Sequence, residues 1–457
     1  MKYDAVRRES SHLFRPRFLS YKSSGSLSWA TTTIIVAGIF VMLLPIYNVI
    51  APLYASLYQF NDDFIGTTSS IGVVPYIVLI SIFLYRQQKR ASISDYFIIL
   101  LTLFYYLPGN VMYVYGNWSE LYFVFHFLSY AALVVTNELM PNFTLKVSSP
   151  PAKYSKNTVS ALPIFISLSV ILITLYYNGL RINLNLDEVY DLRNEWRASG
   201  MPNIFNYYIP FTARITPVLL LITLKQRRFW PSLLLIFSQL VSFSFGGMKY
   251  TLFALILAIL FHFFGQKIDA KKIIIYFAGF VCLCMVECFL ITDQIPMISA
   301  YTLRRMSFIP NQIGSYFFSF TQSHDYLYYS ESFLSVFGHY PYHDGFPHVI
   351  GEYAFGRPNM AANTGLFAEG FSQIGWLSLP IYAFLYVLVF RIYDACSRGF
   401  RDTELSHVPL LGVLLYAFTL QDCAFFTALL TQGLALSIFT IYLLSRSNFT
   451  TRRYKQY

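Results

Sequence analysis

The apolar residues of this chain are gathered into long runs that a soluble core would not require. One run extends from Trp29 to Ile50 and another from Lys272 to Thr292. Each is close to the roughly 20 residues needed to cross the hydrocarbon layer of a bilayer. Repeated along the chain, the pattern predicts an all-α polytopic membrane protein of about 12 transmembrane helices. The spans fall near 29–54, 70–85, 96–114, 118–139, 159–178, 208–224, 229–245, 250–265, 273–292, 374–391, 408–423 and 426–445. Pro409 to Leu444 is one apolar stretch, too long for a single helix, and Gln421-Asp422-Cys423 is its natural turn. A polar tail, 1–28, precedes a single transmembrane domain, 29–457, whose two long connections lie at 179–207 and 293–373.

Composition agrees with that pattern. Apolar residues make up 56% of the chain and charged residues 12%, against about 25% charged in a soluble domain. The net charge of +10 does not imply a nucleic-acid partner, because the basic residues sit in short clusters between the apolar runs. The tail holds Lys2, Arg7, Arg8, Arg15, Arg17 and Lys22, and the C-terminal tail holds Arg446, Arg452, Arg453 and Lys455. Alternate connections hold Arg86, Lys89 and Arg90; Lys146, Lys153 and Lys156; Lys225, Arg227 and Arg228; Lys267, Lys271 and Lys272; and Arg391, Arg398 and Arg401. In all, 25 of the 33 lysines and arginines fall on one side. The positive-inside rule makes that side the cytoplasm and places both termini there. The first run is too long for a signal-peptide core and follows a polar tail, so it reads as a retained helix. Cys282, Cys284, Cys288, Cys396 and Cys423 form no disulfide framework. The sequons at Asn117, Asn142 and Asn448 read as chance, since two fall on the cytoplasmic side.

Eight basic residues are left unexplained by orientation: Arg181, Arg193, Arg197, Arg214, Lys249, Arg304, Arg305 and Arg357. A charge within a span is costly and points to function. Arg214 is expected in the outer third of the sixth span, Lys249 at the turn after Gly246-Gly247-Met248, Glu287 in the outer third of the ninth span and Asp422 at the last outer turn. Cations at that common depth suit a lipid-linked phosphate or diphosphate, which arginine grips bidentately and lysine as a point charge. The bland reading, snorkelling or pairing with a nearby acid, is preferred for Arg181 and Arg357 but not for Arg214 and Lys249.

The first long connection reads as a short amphipathic helix. Arg193 and Arg197 share a face there, with Asp191 and Glu195 beside them, so glycan binding and a self-neutralised interfacial helix are both open. The second is rich in aromatics, Tyr342 among them, whose faces and hydroxyls suit sugar rings or equally an aromatic belt at the membrane surface. His339, His343, Asp344 and His348 invite a metal reading, but Pro341, Gly345 and Pro347 argue against a helix that would converge them. No metal and no cofactor is expected. General-base chemistry suits the segment better, with His348 and Glu369 as candidates.

Phe245-Gly246-Gly247-Met248-Lys249-Tyr250 is similar to the Gly/Ser-rich turn with a basic residue found in the O-antigen polymerase (Wzy) family and the related O-antigen ligases. Asn363-Thr364-Gly365, Glu369-Gly370 and Gly375-Trp376 resemble the family's Asn-rich turn, acidic residue and glycines before the next span. Long outward loops after the fifth and ninth spans also resemble it. One family feature is missing: loops with an arginine, ten residues and then a glycine. Arg304 and Arg305 precede Gly314 by nine and eight intervening residues. The resemblance implies transfer of a growing glycan between undecaprenyl-diphosphate-linked oligosaccharide units at the outer face of the bacterial inner membrane. It also implies a chain-length regulator (polysaccharide co-polymerase) as partner beside the lipid bilayer. On this reading Arg214, Lys249, Arg304 and Arg305 bind the lipid diphosphate, Arg193, Arg197 and Tyr342 the glycan, and His348 or Glu369 is the base. An O-antigen ligase and a polysaccharide flippase or other transporter are the alternatives. The transporter is disfavoured because neither repeats nor broken helices are visible in the sequence.

The charge asymmetry has a direct test. A cysteine introduced near Ser323 is expected to react with a membrane-impermeant reagent and one near Ser447 is not; the opposite pattern overturns the orientation.

Overall fold

A computed structural model describes residues 26–58, 72–88, 91–116, 118–143, 145, 152–179, 182–185, 188–265, 268–291, 294–332, 335, 339–401 and 403–455. Lys2 through Lys22 of the basic tail, and Lys89, Arg90, Asn117, Lys146, Arg181 and Lys267, lie outside the described residues, as do the side chains of Lys153, Lys156, Arg452, Arg453 and Lys455. Among the described residues every regular element is helical.

The helices are α1 (Trp29–Tyr58), α2 (Val73–Gln87), α3 (Ile93–Tyr115), α4 (Glu120–Leu139), α5 (Ala152–Asn178), α6 (Val189–Ala198), α7 (Asn203–Lys225), α8 (Phe229–Gly246), α9 (Lys249–Phe264) and α10 (Ala270–Leu290). Helix α11 starts as Met297–Ser299, widens into a π stretch at Ala300–Phe308 and ends as Ile309–Thr321. There follow α12 (Phe346–Phe355), α13 (Leu366–Ile374), α14 (Ser378–Cys396), α15 (Val408–Thr419) and α16 (Leu434–Lys455). Eight segments are long and apolar enough to cross a membrane by length and composition: α1, α3, α4, residues Ala161–Asn178 of α5, α7, α8, α10 and the run Leu366–Cys396. Val73–Gln87, Lys249–Phe264, Val408–Thr419 and Leu434–Arg446 are apolar but shorter. The chain is therefore a multi-pass membrane protein in its helical inventory.

Two compact units make up the chain. The first comprises Met1–Phe143, Asp269–Arg391 and the short piece Leu420–Ala424. Its central helix is α3, 89% buried along its apolar window, whereas α10, packed on α1, is 28% buried. A helix apolar all round belongs at the centre of a bundle, and one with an unburied apolar face belongs against lipid. Helix α3 carries a π stretch at Thr102–Tyr106, which packs against the π stretch of α11. Wide turns leave backbone carbonyls short of donors, and two asparagines supply them. Asn110 Nδ2 donates to the Tyr106 carbonyl at 2.8 Å, and Asn311 Nδ2 donates to the Tyr105 and Ser307 carbonyls at 3.0 and 2.8 Å.

Much of the region 293–373, expected as a loop, is helical. Along α11, Phe308 meets Tyr47 of α1 edge-on and Phe318 meets Phe125 of α4. Arg391 also departs from its expected place in a basic cluster of a connection. It lies inside α14 with 1% of its surface exposed and ties two helix ends together. It donates to Ser92 Oγ at the start of α3 (3.2 Å), to the Asn137 carbonyl (2.6 Å) and to Asn142 Oδ1 (2.5 Å) at the end of α4. Between α13 and α14, Gly375 (φ +60°) breaks the Leu366–Cys396 run.

The second unit comprises Thr144–Ile268, Ile392–Thr419 and Phe425–Tyr457. Its centre is α7, buried without interruption from Ile209 to Thr223 and surrounded by α5, α8, α9, α15 and α16.

In the first unit, Gly365 sits so close to the piece Leu420–Ala424 that a Cβ on it would overlap the carbonyl oxygens of Leu420 and Cys423. Gly38, in α1, has open space around it. We expect Gly365→Ala to lower stability by about 1–3 kcal/mol and Gly38→Ala to leave it unchanged, as read by thermal unfolding in detergent.

Candidate functional site

In the second unit the glycine pair at the end of α8 is explained by what lies on it. Gly247 has a left-handed backbone (φ +58°), and its N–H closes the helix on the Phe243 carbonyl at 2.8 Å. Helix α6 lies across this turn. A Cβ on Gly247 would stand 2.6 Å from the Val189 carbonyl oxygen, and one on Gly246 3.3 Å from the Trp196 ring. Val189 and Leu192 are buried there, while Arg193 is half-buried and Arg197 exposed on the same helix. The turn delivers Lys249 to the first position of α9, exposed and, among the described residues, without an ion-pair partner.

Tyr250, next along, joins Lys249 to Arg214. The Arg214 side chain is 7% exposed, midway along α7 and so deeper within its helix than the sequence suggests. Its Nε donates to Thr419 Oγ1 (3.1 Å), and Nη1 donates to the Pro210 carbonyl (3.1 Å) and to Tyr250 Oη (3.1 Å). The rings of Tyr250 and Tyr416 lie 4.6 and 5.9 Å from its guanidinium carbon. Each of these partners is neutral, and among the described residues Nη2 has no acceptor. A buried guanidinium without a carboxylate is expensive, and its two Nη2 hydrogens are the donors left for an anionic oxygen.

In the first unit Glu369 and His348 have separate surroundings. Glu369, on the first turn of α13, is buried. Its Oε2 accepts from Tyr382 Oη at 2.8 Å and its Oε1 from Gln373 Nε2 at 3.1 Å. His348, half-buried on α12, has its Nδ1 3.1 Å from the Pro358 carbonyl. A carbonyl only accepts, so Nδ1 carries the hydrogen and Nε2 keeps the lone pair a base needs. Glu287 is a capping group: it accepts from the N–H groups of Ile298 and Ser299 and from Ser299 Oγ, all at 2.7 Å, and so anchors the start of α11 to α10. Tyr342 Oη donates to the Asp325 carbonyl at 2.9 Å, and its ring packs with Phe320, Tyr340 and Phe346. Such packing makes these aromatics the core of their own segment.

Arg304 and Arg305 leave the α11 π stretch in different directions. Arg304 is buried, its guanidinium carbon 3.7 Å from the centre of the Tyr54 ring, and Arg305 is exposed. Asp422, half-buried, stands in the non-helical piece Leu420–Ala424. A second polar feature went unremarked in the sequence: His126 of α4, fully buried, with Nδ1 3.0 Å from Tyr76 Oη and the rings of Tyr105, Tyr106, Trp118 and Tyr122 around it. Gly109, where a Cβ would stand 2.8 Å from His126 Nε2, makes room for that ring. A lone histidine in an apolar run carries no local signal of such a setting.

Among the described residues no three of His, Cys, Asp and Glu converge as metal ligands. Comparisons with protein-family models, curated proteins and solved structures give no match for this chain.

Proposed function

We propose that the protein is a bacterial inner-membrane glycosyltransferase of the O-antigen polymerase type, with twelve membrane-crossing helices and cytoplasmic termini. It joins oligosaccharide repeat units carried on undecaprenyl diphosphate. The observation that carries this reading is Arg214: a buried cation on neutral partners with a free donor pair, linked through Tyr250 to Lys249 at a helix start. A helix N-terminus adds its own partial positive charge to such a site. A polymerase uses two lipid-diphosphate substrates, and each unit supplies its own cations, Arg214 and Lys249 in one and Arg304 and Arg305 in the other. Arg193 and Arg197, on the helix that roofs the Gly246-Gly247 turn, suit the polar glycan that follows the diphosphate. A cation on the departing diphosphate lowers the barrier by stabilising charge that grows in the transition state, and a carboxylate or His348 takes the proton of the attacking hydroxyl.

One observation favours the transporter alternative. The apolar stretch from Val408 onward is interrupted at Leu420–Ala424, and the Leu420 carbonyl accepts from the Leu366 N–H at 3.1 Å, where Leu366 has φ +53°. Broken helices of this sort line substrate sites in transporters, and equally any polar site within a membrane.

Deleting the gene separates the readings: lipopolysaccharide bearing a single repeat unit is expected, and its complete lack of repeat units overturns the polymerase in favour of ligase or transporter. In a purified assay with lipid-linked units, Arg214→Ala is expected to weaken substrate use roughly 10- to 100-fold, the worth of about 1.5–3 kcal/mol for a hydrogen bond to a charged group. Arg214→Lys is expected to fall between, because the charge stays while the planar fork is lost. Full activity in both Arg214→Ala and Lys249→Ala, at normal protein levels, removes the diphosphate role.

A further inference from the structure

A guanidinium carries five N–H hydrogens and no acceptor, so the hydrogens around Arg214 can be assigned one by one. Nε gives its hydrogen to Thr419 Oγ1, and Nη1 gives its two to the Pro210 carbonyl and to Tyr250 Oη, each at 3.1 Å. The two on Nη2 remain, and nothing among the described residues accepts them. The hydroxyls of the cage divide in the same way. Thr419 is committed on both sides: its oxygen accepts from Arg214, and its hydrogen goes to the Leu415 carbonyl at 2.9 Å. Tyr416 has its hydroxyl engaged with Ser437 Oγ at 2.6 Å and offers Arg214 only the face of its ring. Tyr250 differs from both. Its oxygen accepts from Arg214, so its hydrogen must turn away from a group that holds only donors, and among the described residues that hydrogen has no acceptor. Two hydrogens on Nη2 and one on Tyr250 Oη are thus left over beside one another, with the Tyr250 ring centred 4.6 Å from the guanidinium carbon. Tyr250 is half-buried and follows the exposed Lys249, whereas Arg214 is 7% exposed, so the phenol stands between the surface cation and the buried one.

We propose that Tyr250 binds the lipid diphosphate directly, its hydroxyl hydrogen and the Nη2 hydrogens of Arg214 closing on oxygens of one phosphate group. This inference rests on the reading of the Arg214 cage as a diphosphate site and adds a ligand-binding residue to it. A phosphate group suits three such donors because it brings several acceptor oxygens and, when fully ionised, no hydrogen of its own. A neutral hydroxyl headgroup must donate as well as accept, and it finds no free acceptor here. The bond from Arg214 to the phenol oxygen polarises the O–H, and hydrogen bonds in such a chain strengthen one another. The phenol also adds a donor without burying a second charge.

The test is binding of undecaprenyl diphosphate by the purified full-length protein in phosphatidylcholine nanodiscs. Tyr250→Phe keeps the ring beside the guanidinium and removes only the hydroxyl; it is expected to weaken binding roughly 10- to 100-fold, the range for a hydrogen bond to a charged group. Thr419→Val removes a partner of Arg214 that has no hydrogen to offer a ligand, and is expected to cost about 3-fold or less. A double substitution separates contact with the ligand from support of Arg214: in an Arg214→Ala protein, adding Tyr250→Phe is expected to weaken binding about 5-fold further. Undecaprenol is expected to bind more weakly than the diphosphate and without regard to Tyr250. Inorganic diphosphate is expected to compete only at far higher concentration, and equal competition overturns the lipid-linked ligand in favour of a soluble one. Tight, Tyr250-dependent binding by a protein that makes no polymer from lipid-linked repeat units keeps this inference and overturns the glycosyltransferase reading. Wild-type affinity in Tyr250→Phe, a loss no greater than that of Thr419→Val, or no further loss in the Arg214→Ala protein overturns this inference alone.

Discussion

Backbone that leaves the α-helical path inside an apolar bundle has no water to turn to, so each freed N–H and C=O must be met by the protein itself. The first unit is organised around that requirement. Its two π stretches lie side by side, and Asn110 and Asn311 feed the carbonyls that the wide turns release. At Leu366 and Leu420, two interrupted segments answer each other, N–H to carbonyl, across a contact that only a glycine at 365 permits. The polar side chains that stand near these departures, Arg304, Asp422 and Glu369, are held within the bundle because the irregular backbone needs protein around it anyway.

The second unit solves a different problem with the same economy. Its charge is buried not by a partner acid but by a carbonyl, two hydroxyls and two aromatic faces around Arg214. Such a cage satisfies part of the guanidinium and leaves its positive charge uncancelled, which a structural ion pair would not do. The burial that makes the residue costly also strengthens whatever anion it meets, because screening is weaker there than in water.

What the sequence made legible followed from properties summed over many residues. Long apolar runs locate the helices, since bilayer thickness fixes their length and no partner is needed to read it. Gly246-Gly247 stands out as a turn with a cation behind it, yet its reason, helix α6 laid across it, is tertiary. The same holds for Arg391 and Glu287: one looks like part of a basic cluster and the other like a stray charge in a span. Each is a fastener whose partners are distant, as far off as Ser92 for Arg391. The region 293–373 misled by composition. Its mix of arginines, serines and aromatics lacks the hydropathy of a span, though α11 packs as a helix within the bundle. Arg214 stands midway along α7 because that helix begins at Asn203, ahead of its apolar stretch. The break at Leu420–Ala424 falls where Gln421-Asp422-Cys423 marks a turn in the sequence, and it bears on the transporter alternative.

The π stretch of α11 also sets a phase. A π turn accommodates more residues than an α turn, so each wide turn rotates everything beyond it relative to an α-helix of the same sequence, by about 100° for one extra residue. Arg304 and Arg305 occupy the interval where that rotation accrues, one turned into the bundle against Tyr54 and the next turned out. From Ser307 to Ser315 every residue is buried, so the shift decides which neighbours Asn311, Gln312 and Ser315 meet. The identity of the face that α11 shows to its surroundings is thus written in the number of residues between Ala300 and Phe308, and a chain shorter by one there would present a different helix with the same side chains.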